Sequence, residues 1–255
     1  MKNVLILGCG RSGTSLVAGC LAKAGYFMGD NYIPAEKDRN LYGFFEDEEI
    51  NKINEDILFR SYPKKSPFNG EWIFSDYVHS WRWLARLPLN AKIFSSKEIK
   101  ERIKNIVREK NFCYKDTRFG YTFPVWKNFL KNTFFVCVFR CPSSTASSIV
   151  RECRNASYLK DMNIDFETSL DLWKLVYSHI LKHFENGDFK QWLFVHYNQL
   201  FEKKFLDKLA KFTGAKVDYK FPDKKLRKID SCLDVSEEIE GIYDRLCGLA
   251  NYSNH

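Results

Sequence analysis

No stretch of this sequence reaches the roughly 18–20 consecutive apolar residues that a membrane-crossing helix needs. The apolar run before Cys9 is also too short for a signal peptide. The expectation is a cytoplasmic chain without a membrane span. No Pro/Gly/Ser-rich linker interrupts the 255 residues, which predicts a single domain over 1–255 with one sizeable core. The eight cysteines (Cys9, Cys20, Cys113, Cys137, Cys141, Cys153, Cys232, Cys247) include no CxxC pair. Several sit in apolar runs, so reduced, buried thiols are expected. No His/Cys/Asp cluster has metal-ligand spacing, and no metal is expected. Neither a basic tail nor a nucleic-acid module is recognisable. The net charge of +8 is spread through mixed runs such as Lys97-Glu98-Ile99-Lys100-Glu101-Arg102, which read as solvated helix faces. An anionic nucleotide, not nucleic acid, is the simpler partner.

The stretch that could hold such a nucleotide is Gly8-Cys9-Gly10-Arg11-Ser12-Gly13-Thr14-Ser15. Asn3-Val4-Leu5-Ile6-Leu7 before it reads as a buried parallel strand, and Leu16 to Gly25 after it has helical spacing. A strand, a glycine-rich turn and a helix leave unpaired N–H groups facing an anion. Three signatures compete for the loop. The dinucleotide pattern GxGxxG also needs an acidic residue closing a second strand, and the segment around Asp30 does not read as one. The triphosphatase loop needs a lysine where Thr14 stands. The third has its cation at Arg11, followed by the hydroxyls of Ser12, Thr14 and Ser15.

Further along, acidic residues 46–49 precede Ile50, Ile53, Ile57 and Leu58 at helical spacing. A carboxylate there either complements the helix dipole or acts as a general base. An aromatic-rich insertion near 60–95 holds Trp72, Trp81, Trp83 and His79, and insertions of this length commonly form a lid or substrate wall. Residues 96–109 read as an amphipathic helix. Asn111 to Tyr114 reads as a strand delivering Lys115-Asp116-Thr117-Arg118, at the sheet end where open α/β folds bind ligands. Thr133 to Phe139 reads as a buried strand delivering Arg140, then Pro142 at a helix start and serines through Ser148. Helices over 166–184 and 201–212 flank a strand at 191–196. The alternation predicts an α/β fold with a central parallel sheet flanked by helices.

Arg11-Ser12-Gly13-Thr14-Ser15 resembles the 5′-phosphosulfate loop of sulfotransferases that use 3′-phosphoadenosine 5′-phosphosulfate (PAPS), in the arginine-loop branch that includes bacterial enzymes and tyrosylprotein sulfotransferases. Asn40 to Glu46 resembles the family's Asn-x-x-Gly-x-x-Glu segment. Lys115 to Arg118 resembles its Lys-Asp-Pro-Arg motif, with Thr117 where proline is usual. Arg140 and Ser148 have the eight-residue separation of its 3′-phosphate motif. The resemblance implies a three-layer fold like that of P-loop NTPases and transfer of a sulfonate from PAPS to a hydroxyl or amine, releasing adenosine 3′,5′-bisphosphate. It also implies roles: Arg11, Glu46 and Lys115 as catalytic residues, and Gly10, Arg11, Ser12, Gly13, Thr14, Ser15, Arg140 and Ser148 as donor-binding residues. Arg11 and Lys115 would together meet the charge on the leaving oxygen, in place of a metal. Asp116 and Arg118 would order the site. His196 and Tyr197 are expected to be structural, and Leu226-Arg227-Lys228 is a candidate cover for the nucleotide. The acceptor is expected to be carbohydrate. A kinase using ATP and Mg²⁺, an inactive PAPS-fold binding protein and a Rossmann dehydrogenase are the alternatives.

Overall fold

A computed structural model describes residues 1–33, 43–64, 71–74, 80–109, 111–159, 162–224, 227 and 232–253. His79, Leu226, Lys228, and Asn40 to Tyr42 of the Asn-x-x-Gly segment lie outside the described residues. Four strands, β1 (Asn3–Leu7), β2 (Cys113–Lys115), β3 (Thr133–Phe139) and β4 (Trp192–His196), form one parallel sheet in the order β2-β1-β3-β4. Because strand side chains alternate between faces, each strand contributes to two cores. Leu5, Leu7, Phe135, Cys137, Phe139, Trp192 and Phe194 point to one. Val4, Ile6, Val136, Val138, Leu193 and Val195 point to the other. Nearly continuous apolar strands are what a sheet covered on both faces requires.

The smaller core is closed by α1 (Thr14–Lys23) and α7 (Lys203–Thr213). The larger is closed by α2 (Glu48–Ser61), α3 (Lys97–Ile106), α4 (Phe119–Trp126), α5 (Pro142–Asn155), α6 (Phe166–Glu185) and α8 (Glu237–Ala250). The chain leaves β1 toward β2 on one side and returns to β3 on the other. The crevice between the carboxyl ends of β1 and β3 is therefore the switch point at which such sheets bind ligands. Among the described residues no helix is long and apolar enough to cross a membrane.

Three boundaries differ from the expected ones, each for a local reason. Asn111 takes a left-handed φ of 60°, a conformation asparagine tolerates better than most residues, so β2 begins only at Cys113 and carries Lys115 inside the strand. α1 starts at Thr14, two residues early, because Gly13 occupies its N-cap position with φ 95°. Residues 197–201 form a 3₁₀ turn with a capping box between His196 and Gln199, which delays α7 to Lys203.

Candidate functional site

The loop after β1 has the path its glycines permit. A Cβ on Gly13 would lie 2.7 Å from Tyr197 Cδ2 in a backbone conformation that side chains rarely adopt. Arg11 itself has φ 70°, a strained setting for a residue with a side chain. No side chain caps α1 and no carboxylate stands in its first turn, so its N-terminal dipole is left for an external anion.

Beneath the loop, Tyr177 Oη accepts from the Cys9 N–H at 3.2 Å and lies 2.8 Å from Val138 O and 2.9 Å from Ser12 Oγ. A carbonyl can only accept, so the single phenol proton goes to Val138, and the proton between the two hydroxyls is that of Ser12. Ser12 was expected to offer its hydroxyl to phosphate. It is fully buried and committed to Tyr177, which makes it part of the loop's foundation. Thr14 is buried, and Ser15 Oγ donates to Phe44 O at 3.3 Å. On the loop's outer side, Trp83 lies over Gly10 so closely that a Cβ there would meet its ring at 2.7 Å. The insertion thus docks on the loop, a contact nothing in the residue pattern announced.

Arg11 turns toward α5. Its Nε donates to Ser148 Oγ at 3.3 Å, and its Nη1 lies 3.4 Å from Glu152 Oε2. Arg11 is expected to meet the leaving oxygen together with Lys115; here its side chain reaches the one carboxylate that α5 offers, and joins Ser148. Arg140, at the end of β3 and nearly buried, packs its guanidinium 4.5 Å from the Tyr197 ring. Pro142 occupies the first turn of α5, and Cys141 is its N-cap residue. Cys141 is paired with Cys232 as a disulfide, and Leu233 N–H donates to Ser143 Oγ at 2.9 Å. Eight reduced thiols were expected. The fold brings these two together by holding Cys232 and Leu233 against the start of α5, while the other six remain free.

The acidic cluster divides its labour by position. Asp47 is the N-cap of α2, accepting from the N–H groups of Glu49 at 2.9 Å and Ile50 at 3.1 Å. Glu46, one residue earlier, is left for another partner. Its carboxylate meets the Lys115 ammonium and accepts from Asn51 Nδ2 at 2.9 Å. Burial pushes the Glu46 pKa up, but the charges of Lys115 and Arg118, with the hydrogen bonds from Lys115 and Asn51, carry it below the ordinary carboxylate range. Behind this pair lies a buried network. Arg118 bonds Glu55 at 2.6 Å and Asp116 at 2.9 Å, Arg82 bonds Glu55 at 2.8 Å, and Asn54 donates to Asp116 at 2.9 Å. Two cations balance two anions, as burial requires. The network ties the end of β2 to α2, and through Arg82 to the insertion.

His196 stacks on Tyr252 with ring centroids 3.9 Å apart and meets Tyr243 Oη at 3.2 Å. Burial first, then the nearby Arg140 and Arg227, lower its pKa to about 3. It is a neutral structural ring. Arg227 lies over the Phe201 ring at 6.0 Å.

A family model described as "Sulfotransferase family" matches residues 3–218. The fold is similar to the sulfotransferase domain of the Synechococcus PCC 7002 olefin synthase, with 16% identity, a TM-score of 0.56, and 100% of this chain and 98% of that one covered. It is likewise similar to the sulfotransferase domain from the curacin biosynthetic pathway, with 15% identity, a TM-score of 0.55 and 100% and 99% coverage. A sulfotransferase from Alicyclobacillus acidocaldarius matches with 12% identity, a TM-score of 0.51 and 100% and 97% coverage. No curated protein matches the sequence.

Proposed function

The chain belongs to the sulfotransferase family, and we propose that it transfers a sulfonate from PAPS to a hydroxyl of a carbohydrate acceptor, acting as one catalytic domain. The observation that carries this reading is the contact between Glu46 and Lys115 at the carboxyl end of β2. It joins a carboxylate able to take a proton with a cation able to meet a leaving group, beside a loop built for an anion. PAPS supplies an activated sulfonate on a 5′-phosphate leaving group.

The residues suit such a donor. The uncapped start of α1 and the loop at Gly10, Gly13, Thr14 and Ser15 face the 5′-phosphate. Arg140, just before α5, and Ser148, within it, suit the 3′-phosphate. Arg11, already on Ser148, spans the two ends. Lys115 neutralises charge as the S–O bond breaks, and Glu46 accepts the proton of the acceptor hydroxyl. These two roles are linked: while Lys115 holds Glu46, the carboxylate is a weak base. Moving the ammonium toward the donor removes the strongest influence lowering the Glu46 pKa, so base strength rises only with donor bound. The aromatic insertion, packed on Gly10 through Trp83, is suited to wall the acceptor.

Thermal melting with adenosine 3′,5′-bisphosphate and EDTA, beside ATP with Mg²⁺ and NAD, tests the donor. At 100 times its dissociation constant, the bisphosphate should add about 2.7 kcal/mol, or several degrees at roughly 2–4 °C per kcal/mol. A shift with ATP and Mg²⁺ alone would replace this reading with a kinase. Glu46→Gln should keep the bisphosphate shift and lose transfer by about 10²–10⁴-fold, the usual contribution of a general base. Full turnover in Glu46→Gln would remove Glu46 from that role.

A further inference from the structure

A groove of about 530 Å³ opens along α5, lined by Ser147, Val150, Arg151, Arg154, Asn155 and Phe166. The five α5 residues share one face by their spacing, and Phe166, the first residue of α6, forms the facing wall. Arg151 and Arg154 are exposed, and among the described residues neither guanidinium has a hydrogen bond or ion pair. Some helix cations elsewhere are paired within a turn, as in Lys52 with Glu48, Lys104 with Glu101 and Lys203 with Asp207. Among the described residues no carboxylate lines this groove. Two like charges one turn apart repel, and an anion between them turns that repulsion into attraction.

The groove adjoins the donor site. Ser147 and Arg151 immediately precede Ser148 and Glu152, the partners of Arg11, so the two stripes are neighbours on a helix only about 10–12 Å across. The insertion reaches the same helix. Trp83 lies on Gly10, and Trp81 Nε1 donates at 2.9 Å to Tyr158 O, in the turn that follows α5. An acceptor entering beside the loop therefore has α5 along its path.

We infer that this groove binds an acidic group of the acceptor, and that the acceptor is an acidic sugar chain. Arg151 and Arg154 bind its carboxylate, Ser147 and Asn155 bond ring hydroxyls, and Phe166 covers a ring face. This rests on the sulfotransferase reading, since it names the acceptor of that transfer.

The test is calorimetric titration of the full chain with an oligogalacturonate tetrasaccharide and a hyaluronan tetrasaccharide, with neutral cellotetraose as control. Titration with adenosine 3′,5′-bisphosphate runs in parallel. At least one acidic sugar should bind saturably and cellotetraose should not. Arg151→Ser/Arg154→Ser, both exposed positions outside the donor site, should weaken the acidic sugar at least about tenfold and leave bisphosphate affinity unchanged. Failure of both acidic sugars to bind, equal binding of cellotetraose, or undiminished binding by the double variant overturns the inference. Loss of bisphosphate binding in the unmodified chain strikes instead at the donor assignment.

Discussion

Lys115→Met is the perturbation that most directly interrogates the Glu46–Lys115 pair. Both side chains are largely out of water, 3% exposed for Lys115 and 13% for Glu46. Removing one partner of a buried pair leaves an uncompensated charge and typically costs about 3–5 kcal/mol. At roughly 2–4 °C per kcal/mol for a chain of this size, the melting temperature should fall by about 6–20 °C. The sign of the pH dependence is fixed by the pair. In the unmodified protein the folded pKa of Glu46 is depressed. It therefore contributes stability above its unfolded value of about 4.3, lost as pH falls through the folded value. In Lys115→Met two of the four lowering influences vanish and burial, the largest cause, remains, so the folded pKa rises. The deficit should be greatest near neutral pH and shrink as pH falls toward about 4.3. Adding Glu46→Gln removes the stranded charge and should recover about 1–3 kcal/mol at pH 7, read by urea unfolding of all four corners of the cycle. Equal stabilities for Lys115→Met and the double variant at pH 7 would refute the pairing.

Asp47→Ala should lower stability by about 0.5–2 kcal/mol through loss of the α2 cap, with transfer retained. Measured beside Glu46→Gln, its melting curve and turnover separate the two adjacent carboxylates. Gly13→Ala should cost about 1–2 kcal/mol from the left-handed backbone alone, and more from contact with Tyr197. Bisphosphate binding should weaken with it in calorimetric titration. Tyr177→Phe strands the Cys9 N–H and Val138 O, each a buried polar group worth about 1–3 kcal/mol when unsatisfied. Its melting temperature should fall together with bisphosphate affinity, because the same hydroxyl holds Ser12.

Much of the fold was legible because buried parallel strands are short apolar runs. Val4 to Leu7 and Thr133 to Phe139 need no tertiary information to be recognised. The strand order was not legible, since nothing in an apolar run names its neighbour. The site divided in the same way. Arg140 and Lys115 stand at strand ends, where register fixes their position. Arg11, Ser12 and Ser15 sit at a loop and helix start, where side chains choose partners from elsewhere: Ser148 and Glu152, Tyr177, and Phe44. Adjacent acids were equally ambiguous. Only the start of α2 at Glu48 makes Asp47 the cap and releases Glu46. Trp83 on Gly10 and the meeting of Cys141 with Cys232 join residues 73 and 91 positions apart along the chain, and no local pattern encodes them.

The two cations proposed to meet the donor both have carboxylate partners. Arg11 holds Glu152, and Lys115 holds Glu46, so each cation proposed to meet an anionic donor is already neutralised by a carboxylate of the chain. Burying either cation alone would be costly, and the carboxylates remove that cost. A donor bearing phosphates at both ends must displace both. The two exchanges differ in what they release. Glu152 stays on α5, beside the Ser148 hydroxyl that the 3′-phosphate would take over. Glu46 would be set free as the proposed base for the acceptor proton. Donor binding and base activation are then one event, and an acceptor that arrives first meets a carboxylate still held by Lys115. Ordered binding with donor first follows: product-inhibition kinetics should show adenosine 3′,5′-bisphosphate competitive with donor and noncompetitive with acceptor. The opposite order would separate the release of Glu46 from the capture of Lys115.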